Sequence, residues 1–340
     1  MRTIDWWDEA VRMIDQTRLP QAEVVIDVRD VDELVAHIQS LAVRGAMALG
    51  VAGALGMALA ATNAVRSGSD LDQALDVAAE KLSNARPTAV NLGYGVRAVQ
   101  RARAEGADLP GLLAAALAIR DEDIVANRAI GVAGAAFLQG ARRILTHCNA
   151  GALAGVEAGT ALGVIGSLHR HAPLTVVYVC ETRPLLQGSR LTAWELGREG
   201  IPHRVIVDSA AAGLILSGQV DAVVVGADRI AANGDVANKV GTVSHALAAR
   251  HAGIPFLVAA PESTVDDLTP TGADIPIELR HEDEILNVMG RRVASPASRA
   301  LNPAFDITPA ELVTAIVTQS RLLRDPARNP PRSSADTDVR

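Results

Sequence analysis

The first 140 residues combine short strand-like runs with long segments whose apolar positions recur at helical spacing. Three runs near the start, TIDW, VRMID and EVVIDV, are typical of short strands arranged around an acidic turn. From Asp32 to Leu138, five consecutive segments carry the helical pattern, and no strand-like run interrupts them. We therefore predict a mostly helical domain over residues 1–139, with a small β-element at its front.

The hydrophobic pattern changes after Gly140. Short runs rich in Val, Ile and Leu now alternate with segments of helix length, which predicts βαβ units and a parallel sheet covered on both faces. The whole chain is thus an α/β protein, with a Rossmann-like, doubly wound sheet over residues 140–325. The Pro-, Arg- and Ser-rich residues 326–340 are predicted to be disordered. The five strand-like runs are RRILTHC, LTVVYVC, HRVIVD, DAVVVGAD and IPFLVAAP.

One segment, from Ala46 to Val65, is uncharged over about the length of a membrane span. It consists mostly of Ala and Gly, with few Leu and no Ile or Phe. Such a helix packs closely against others because its residues are small. We therefore favour a buried helix of a soluble domain over the alternative, a membrane segment.

Composition narrows the classes of protein further. The 340 residues carry a formal net charge of −7, with 49% hydrophobic and 21% charged residues, which is globular and offers no basic surface for nucleic acid. Two cysteines, Cys148 and Cys180, make no disulfide framework, and four Cys or His residues at metal-ligand spacing are absent from the sequence. The acidic start, MRTIDWWDEA, is unlike a signal peptide, so we expect a cytoplasmic protein.

Five predicted strands end in polar residues, and the carboxyl ends of parallel strands lie on one edge of a sheet. We therefore expect a site on this edge, although Asp, Asn and Ser also favour turns and helix caps. For Asp208-Ser209 and Ser263-Thr264 the turn or cap interpretation is preferred. The remaining polar groups at these ends are Cys148-Asn149, Cys180-Glu181, Asp228-Arg229 and Glu262.

The segment after the fourth of these runs, GADRIAANGDVANKVGT, is the most informative. Asp228 comes directly after the strand, where partial withdrawal from water would raise its pKa and suit it to act as an acid. Asn238-Lys239 and a helix start at Gly241-Thr242 together predict a phosphate cradle of lysine, amide and free backbone N–H groups. The alternative is an ordered loop with a turn at Asn233-Gly234 and a solvated lysine.

Other cations lie in similar settings. Arg44-Gly45-Ala46 and Arg86-Pro87-Thr88 each precede a predicted helix, where an arginine and free N–H groups can bind an anion, or where the arginine is simply solvated. Arg183, Gln187 and Arg190 follow the second strand of the sheet. A positive pocket in an acidic protein points to a phosphorylated small molecule.

The residues after Cys148, NAGALAG, predict a helix whose first turn lacks bulky side chains. They differ from the G-x-G-x-x-G fingerprint of nicotinamide-binding folds, and the sequence contains no P-loop lysine. No nicotinamide cofactor is therefore implied.

These motifs resemble a known family. LTHCNAGALA, ETRPLLQGSRLTAWEL, VGADRIAANGDVANKVGT and IPFLVAAPEST are similar to segments of the methylthioribose-1-phosphate isomerases of methionine salvage. That family belongs to a larger group with the α, β and δ regulatory subunits of a translation-initiation exchange factor. IDQTRLP, AVRGAMALGVA and RPTAVNL extend the resemblance over the chain from about Ile4 to Leu323.

The resemblance implies a two-domain fold, a homodimer and a cofactor-free aldose–ketose isomerisation of a sugar phosphate, without a nucleic-acid or membrane partner. It places the catalytic thiol at Cys148 and the catalytic acid at Asp228, and it implies no metal. The substrate contacts that carry over are Arg44, Gly45, Ala46, Arg86, Gln187, Asn238 and Lys239.

Three positions depart from the family pattern. Met47 stands where members usually have Pro, Gly93-Tyr94 lies where bulky aromatics are usual, and Val243 replaces an aromatic residue. These changes affect the expected wall around the sugar's 5-substituent, so 5-deoxyribose 1-phosphate and ribose 1,5-bisphosphate are alternative substrates. A non-catalytic regulatory subunit and a generic sugar-phosphate binding module are the alternatives from other functional classes.

Overall fold

The computed structural model describes residues 2–86, 90–288 and 290–331, and these residues form two compact units. The first contains the described residues of Met1–Arg128 and Ala150–Gly159, and the second those of Ala129–Asn149 and Thr160–Arg340. The sequence-based boundary between residues 139 and 140 follows a change in hydrophobic pattern rather than the contacts of the folded chain, and it stays a prediction. Within the predicted disordered tail, residues 332–340 lie outside the described part.

The first unit opens with three antiparallel strands, and Met13 of the middle strand lies opposite Ile4 on one side and Ile26 on the other. The strands are those predicted from TIDW, VRMID and EVVIDV. Helices with the predicted apolar spacing follow, and the last of them continues past Arg128 into the second unit. The elements are β1 (Ile4–Trp7), β2 (Ala10–Ile14), β3 (Val25–Val28), α1 (Val31–Gln39), α2 (Ala46–Ser67), α3 (Leu71–Ala85), α4 (Val90–Ala104) and α5 (Leu109–Phe137).

Helix α2 is the Ala- and Gly-rich segment, and it forms the centre of the first unit's core. Among the described residues it is the one helix long and apolar enough to cross a membrane, and 89% of its most apolar window is buried. Helix α4 packs directly against it, since a Cβ atom on Gly95 would lie 1.9 Å from the carbonyl oxygen of Gly50. The prediction of a buried helix that packs closely through small residues is therefore confirmed.

The second unit alternates strands and helices, as the hydrophobic pattern predicts. Its elements are β4 (Arg143–Thr146), α6 (Ala161–His171), β5 (Val176–Cys180), α7 (Ala193–Arg198), β6 (His203–Ile206), α8 (Ala211–Leu216), β7 (Ala222–Val225), β8 (Arg229–Ala231), β9 (Val236–Lys239), α9 (Thr242–Ala252), β10 (Phe256–Ala259), β11 (Val265–Asp266), α10 (Asp283–Leu286), β12 (Asn287–Val288), β13 (Arg291–Arg292), β14 (Phe305–Thr308), β15 (Ala315–Val317) and β16 (Leu322–Arg324).

The main sheet has seven strands in the order β16-β15-β10-β7-β4-β5-β6, and every pair is parallel except β15 with β16. The chain starts at β4 and runs outwards through β5 and β6, then returns to continue through β7, β10 and β15 on the other side. The order reverses between β4 and β7, and ligands of doubly wound sheets bind at this switch point, beyond the carboxyl ends of the strands. The predicted fold class is confirmed.

A second, four-stranded sheet of order β11-β8-β9-β14 was not predicted. Strands β8 and β9 form a hairpin whose turn contains Asn233 and Gly234, the turn that the sequence analysis proposed. Strand β14 pairs antiparallel with β9 and sets Asp306 opposite Asn238. This sheet therefore brings a carboxyl group from late in the chain beside the expected substrate-binding residues.

The helix predicted directly after Cys148 is absent from this structure. Residues 150–159 form a loop with a single 3₁₀ turn at Ala152–Ala154, and α6 begins only at Ala161. Thr3 Oγ1 donates a hydrogen bond to the carbonyl oxygen of Ala152 at 2.9 Å, and Gln16 Nε2 donates to that of Leu153 at 2.7 Å. The prediction was wrong because side chains distant in sequence bind these carbonyl groups in a non-helical conformation.

Candidate active site

Cys148 lies just beyond the carboxyl end of β4, and its backbone is held in an unusual conformation. Its φ is 60°, in the left-handed region that side-chain-bearing residues seldom adopt. Its N–H donates to Thr182 Oγ1 at 2.9 Å, and its carbonyl oxygen accepts a hydrogen bond from Thr192 Oγ1 at 2.6 Å. Such conformations persist where the surroundings enforce them, and they concentrate at functional sites.

The loop after β5 supplies one half of this restraint. Thr182 Oγ1 donates to the carbonyl oxygen of Cys180 at 2.9 Å, while the N–H groups of Thr182 and Arg183 donate to the Asp208 carboxylate at 2.8 and 2.7 Å. Asp208 thus binds backbone amides, in agreement with the turn or cap interpretation preferred for it. The positions of Thr182 and Cys148 depend on three neighbouring strand ends.

Asp228 follows β7 at the bend that leads into β8. Its N–H donates to the carbonyl oxygen of Ala237 at 2.9 Å, which joins the start of the hairpin to β9. Its side chain is exposed, so the expectation that it is partly withdrawn from water is wrong in this structure. The chain leaves the buried parallel sheet before Asp228, and the desolvation expected of a strand end is therefore missing.

Asn238 and Lys239 are buried on β9, with 5% and 8% of their surfaces exposed. Lys239 Nζ donates to the carbonyl oxygen of Ala304 at 2.8 Å and lies 4.9 Å from the centre of the Phe305 ring. Asn238 Nδ2 donates to Thr242 Oγ1 at 3.0 Å. The alternative of a solvated lysine is wrong, because β14 covers this side chain and orients its ammonium group.

The amino end of α9 already carries an anion of the protein's own. The Asp306 carboxylate accepts hydrogen bonds from the N–H groups of Gly241 at 2.6 Å and Val243 at 3.2 Å. Burial raises the pKa of Asp306 to about 6, against the opposing effect of these two bonds and of Lys239. The predicted phosphate cradle of free N–H groups at this helix is therefore wrong.

Gln187 is 6% exposed, and its Oε1 has no hydrogen-bond partner among the described residues. A buried amide oxygen without a partner is costly, and a ligand hydroxyl group can satisfy it. Gln187 precedes a π-helical turn, Gly188–Thr192, which also supplies the threonine that binds Cys148. Turns of this kind are frequent at functional sites.

Of the two arginines predicted near this edge, Arg183 serves another purpose. The Arg183 guanidinium donates to the carbonyl oxygens of Glu284 and Ile285 at 3.2 and 3.0 Å, so it braces α10 instead of lining an anion pocket. Arg190 donates to the carbonyl oxygen of Leu185 at 3.3 Å, and its burial lowers its pKa.

The remaining predicted contacts belong to the first unit. Arg44 Nε donates to Gln16 Oε1 at 3.2 Å, directly before Gly45, the N-cap of α2. Among the described residues no side chain caps this helix, and N–H groups at such a helix start can bind an anion. Arg86 lies at the end of α3, and the neighbouring Pro87 and Thr88 of the same prediction lie outside the described residues.

Sequence reasoning missed a buried group beside Cys148. His147 Nε2 lies 2.9 Å from the carbonyl oxygen of Val240, His245 Nε2 lies 3.2 Å from His147 Nδ1, and Cys180 Sγ lies 3.6 Å from His245 Nε2. Burial lowers the pKa of His147 to about 4 and that of His245 to about 3. In the described part of the chain, these three residues are the group whose donor atoms could hold a metal ion. The one available signal was the position of His147 next to Cys148.

Fold and site define the class of protein: a doubly wound α/β protein with a conformationally restrained cysteine and a buried lysine near the carboxyl edge of its sheet. The chain belongs to the Initiation factor 2 subunit family, whose model matches residues 42–323. The resemblance drawn from its motifs is thereby confirmed.

Two relatives are similar over nearly the whole chain. The methylthioribose-1-phosphate isomerase of Anaeromyxobacter dehalogenans (strain 2CP-C) is 51% identical over 94% of this chain and 92% of its own length. The 5-deoxyribose 1-phosphate isomerase of Moorella thermoacetica (strain ATCC 39073 / JCM 9320) is 48% identical, covering 95% and 94%.

Two solved structures share the fold. The 5-methylthioribose 1-phosphate isomerase of Pyrococcus horikoshii OT3 superposes with a TM-score of 0.90 and 41% identity, covering 96% of this chain and 94% of that one. The translation initiation factor eIF-2B subunit delta of A. fulgidus has a TM-score of 0.87 and 42% identity, covering 97% of each chain.

Proposed function

We propose that this protein is an aldose–ketose isomerase that converts 5-methylthioribose 1-phosphate into 5-methylthioribulose 1-phosphate in methionine salvage. One observation carries the proposal: Cys148 and Asp228 follow β4 and β7, the two strands that flank the switch point of the sheet. Relatives about half identical to this chain carry the isomerase name. A non-catalytic regulatory subunit has no need of a strained cysteine at this position.

The usual enediol route of aldose–ketose isomerases is not open to this substrate. Because the anomeric oxygen of an aldose 1-phosphate is esterified, the sugar cannot open to a free aldehyde. In one route a base removes the C2 proton while an acid protonates the ring oxygen, and the bond between C1 and the ring oxygen breaks. The resulting enol phosphate takes up a proton at C1 and loses its hydroxyl proton to give the ketone. In the other route, ring opening leaves a cation at C1, the C2 hydride migrates to it, and the C2 hydroxyl group releases its proton.

We assign the same two residues in both routes. Asp228 protonates the ring oxygen, and Cys148 acts as the base at C2 or stabilises the transition state. Because Asp228 is exposed in the described structure, bound substrate has to cover it before the carboxyl group gains the raised pKa of an effective acid.

The substrate's phosphate is assigned to Arg44, Gly45 and Ala46 at the start of α2, which no described side chain caps, with Arg86 and Lys239 as further cations. The sugar hydroxyl groups are assigned to Gln187, whose Oε1 lacks a partner among the described residues, and to Asn238. Asp306 already fills the start of α9, which supports the choice of α2 for the phosphate.

The decisive experiment incubates purified protein with 5-methylthioribose 1-phosphate and follows the ketose by ³¹P and ¹³C NMR. Turnover supports the isomerase. Binding without turnover points instead to a ligand-sensing regulatory subunit or a sugar-phosphate binding module. Substrate deuterated at C2 then separates the two routes: hydride migration retains the label at C1, whereas proton transfer exposes it to exchange with water.

We further infer a cytoplasmic homodimer that uses no cofactor and binds neither nucleic acid nor membrane. The family resemblance and the acidic net charge of −7 support this inference. Light scattering coupled to size-exclusion chromatography tests the dimer, since a monomeric mass at micromolar concentration contradicts it.

A further inference from the structure

The hydrogen bonds of the His147–His245 pair fix where each imidazole carries its proton. The Val240 carbonyl oxygen can only accept, so His147 Nε2, at 2.9 Å, has to carry the hydrogen. His147 Nδ1 is then a bare acceptor in the neutral ring, and His245 Nε2, at 3.2 Å, has to donate to it. Both imidazoles are thus neutral and protonated on Nε2.

Both imidazoles of this pair are buried. His147 is 2% exposed, His245 is 1% exposed, and Cys180 is fully buried beside them. Gly241 lies over the His147 ring with a φ of 108°, and a Cβ atom there would come within 3.1 Å of the ring. The rings therefore have one packed arrangement, set by the direction of their hydrogen bonds.

The pair joins the two parts of the sheet edge to which the proposed chemistry is assigned. His147 directly precedes Cys148 at the end of β4, and its hydrogen bond ends on Val240, which directly follows Lys239. His245, on the first turns of α9, holds the His147 ring from behind. A change in either ring would alter the spacing between Cys148 and the Asn238–Lys239 segment.

We infer that His147 and His245 are positioning residues: the hydrogen bonds from His245 to His147 and from His147 to the Val240 carbonyl oxygen hold Cys148 at a fixed distance from Asn238 and Lys239. The expected effect on turnover rests on the proposed isomerase function. The expected effect on the reactivity of the Cys148 thiol rests on the geometry alone. Neither imidazole needs to touch the substrate, and neither takes up or releases a proton in the reaction.

The first test compares His245→Gln with His245→Leu. A glutamine amide can place an N–H donor near the Nε2 position and keep the bond to His147, whereas leucine has a similar bulk and no donor. We expect His245→Leu to lower kcat about tenfold to a hundredfold with KM changed less than about threefold, since a displacement of about 1 Å is enough for such a loss. His245→Gln should recover most of kcat.

Cys180→Ala is the matched control, because it removes the thiol 3.6 Å from His245 Nε2 but leaves the His245–His147 and His147–Val240 hydrogen bonds in place. It should retain wild-type kcat. Equal activity of the Leu and Gln variants, both folded by circular dichroism, would show that the hydrogen bond has no positioning role.

Two measurements stand apart from turnover, so that failure of the isomerase proposal leaves the inference testable. The alkylation rate of Cys148 by iodoacetamide should differ between wild type and His245→Leu but not between wild type and Cys180→Ala. In wild-type protein labelled with ¹⁵N-histidine, long-range ¹H–¹⁵N spectra should show both imidazoles protonated on Nε2 at pH 7. A proton on His147 Nδ1, or a stoichiometric metal ion that His245→Gln removes, overturns the assignment.

Discussion

The Asp306 carboxylate accepts a hydrogen bond of 2.6 Å from the N–H group of Gly241, at the amino end of α9. The amino end of a helix attracts anions. A carboxylate that reaches this end of α9 from β14 therefore excludes a substrate phosphate from the same N–H groups. The same carboxylate binds Val243, one of the three positions that depart from the family pattern. Asp306 thereby fixes the start of α9 next to the buried Lys239.

Asp306→Ala should destabilise the protein through loss of this helix cap. Removal of a capping side chain costs about 0.5–2 kcal/mol. We expect the free energy of unfolding, measured in guanidinium titrations at pH 7, to decrease by an amount in this range. Asp306→Asn, which keeps one acceptor oxygen, should lose less. The exposed Asp267 provides a control, as Asp267→Ala should be close to neutral. An unchanged unfolding midpoint in Asp306→Ala contradicts the capping role.

Cys148→Ser and Asp228→Asn should each fold normally and lose about 10²-fold to 10⁴-fold in kcat, because each removes a group that acts in the transition state. Steady-state kinetics with the methylthio substrate measures the loss. Cys180→Ala should stay active, since Cys180 is a fully buried thiol whose pKa is raised by burial. Near-normal turnover in a folded Cys148 or Asp228 variant removes that residue from the mechanism.

Neutral substitutions of the three proposed phosphate ligands, Arg44→Gln, Arg86→Gln and Lys239→Met, should each weaken substrate binding by about 1.5–3 kcal/mol. This is the range for hydrogen bonds to charged groups, and it corresponds to roughly tenfold to a hundredfold in kcat/KM. Lys81→Gln is the control, since Lys81 pairs with Asp32 at the surface. If the triple variant binds substrate as well as the wild type, the phosphate lies elsewhere.

The pocket for the 5-substituent should be tolerant, because Met47 and Val243 stand where the family usually has Pro and an aromatic residue. Met47 is the second residue of α2, and Tyr94 is exposed on α4. Discrimination by one small apolar group is worth about 1–3 kcal/mol, so we expect turnover of both the 5-methylthioribose and 5-deoxyribose 1-phosphates, with a modest preference for the first.

Ribose 1,5-bisphosphate should be refused, since no further cation in the sequence is placed to receive its second phosphate. Comparison of kcat/KM for the three sugars tests both statements. Efficient turnover of the bisphosphate, or a thousandfold difference between the other two sugars, would mean that the pocket is built differently.

Asp123, a half-buried residue on α5 whose carboxyl Oδ2 atom is buried, should make stability fall as pH rises. Burial raises its pKa to about 7, against weaker opposing effects of Asn127 and the Val156 N–H. The folded protein therefore binds a proton that the unfolded chain, with a pKa near 3.8, has released. The loss of stability grows as pH rises from about 4 to 7 and is fully present above pH 7, where it reaches about 4 kcal/mol.

Asp123→Asn should remove this dependence and raise the unfolding midpoint at pH 8, with Asp121→Asn on the exposed side of the same helix as control. Guanidinium titrations at pH 5 and 8 measure both effects. Parallel pH profiles for wild type and Asp123→Asn would show that the carboxyl group does not titrate in this range.

Much of the fold was readable from local pattern. Strands β4, β5, β6, β7 and β10 are contiguous apolar runs separated by helix-length segments, and their alternation alone predicts parallel pairing. Strands β8, β9 and β14 escaped prediction because they are short and because β14 pairs with a strand far away in sequence. The pattern of residues 150–159 wrongly predicts a helix, because the side chains that bind this loop, Thr3 and Gln16, come from the start of the chain.

The candidate site divides in the same way. By itself the sequence determined that Cys148 and Asp228 each follow a strand and that Lys239 precedes a helix, because the periods of strands and helices are local properties of the chain. Only the tertiary structure decided that Lys239 is buried, that Asp306 occupies the start of α9, and that His147 and His245 share a hydrogen bond. The burial and pairing of a polar group depend on which distant segments of the chain pack against it, and the local sequence pattern does not identify those segments.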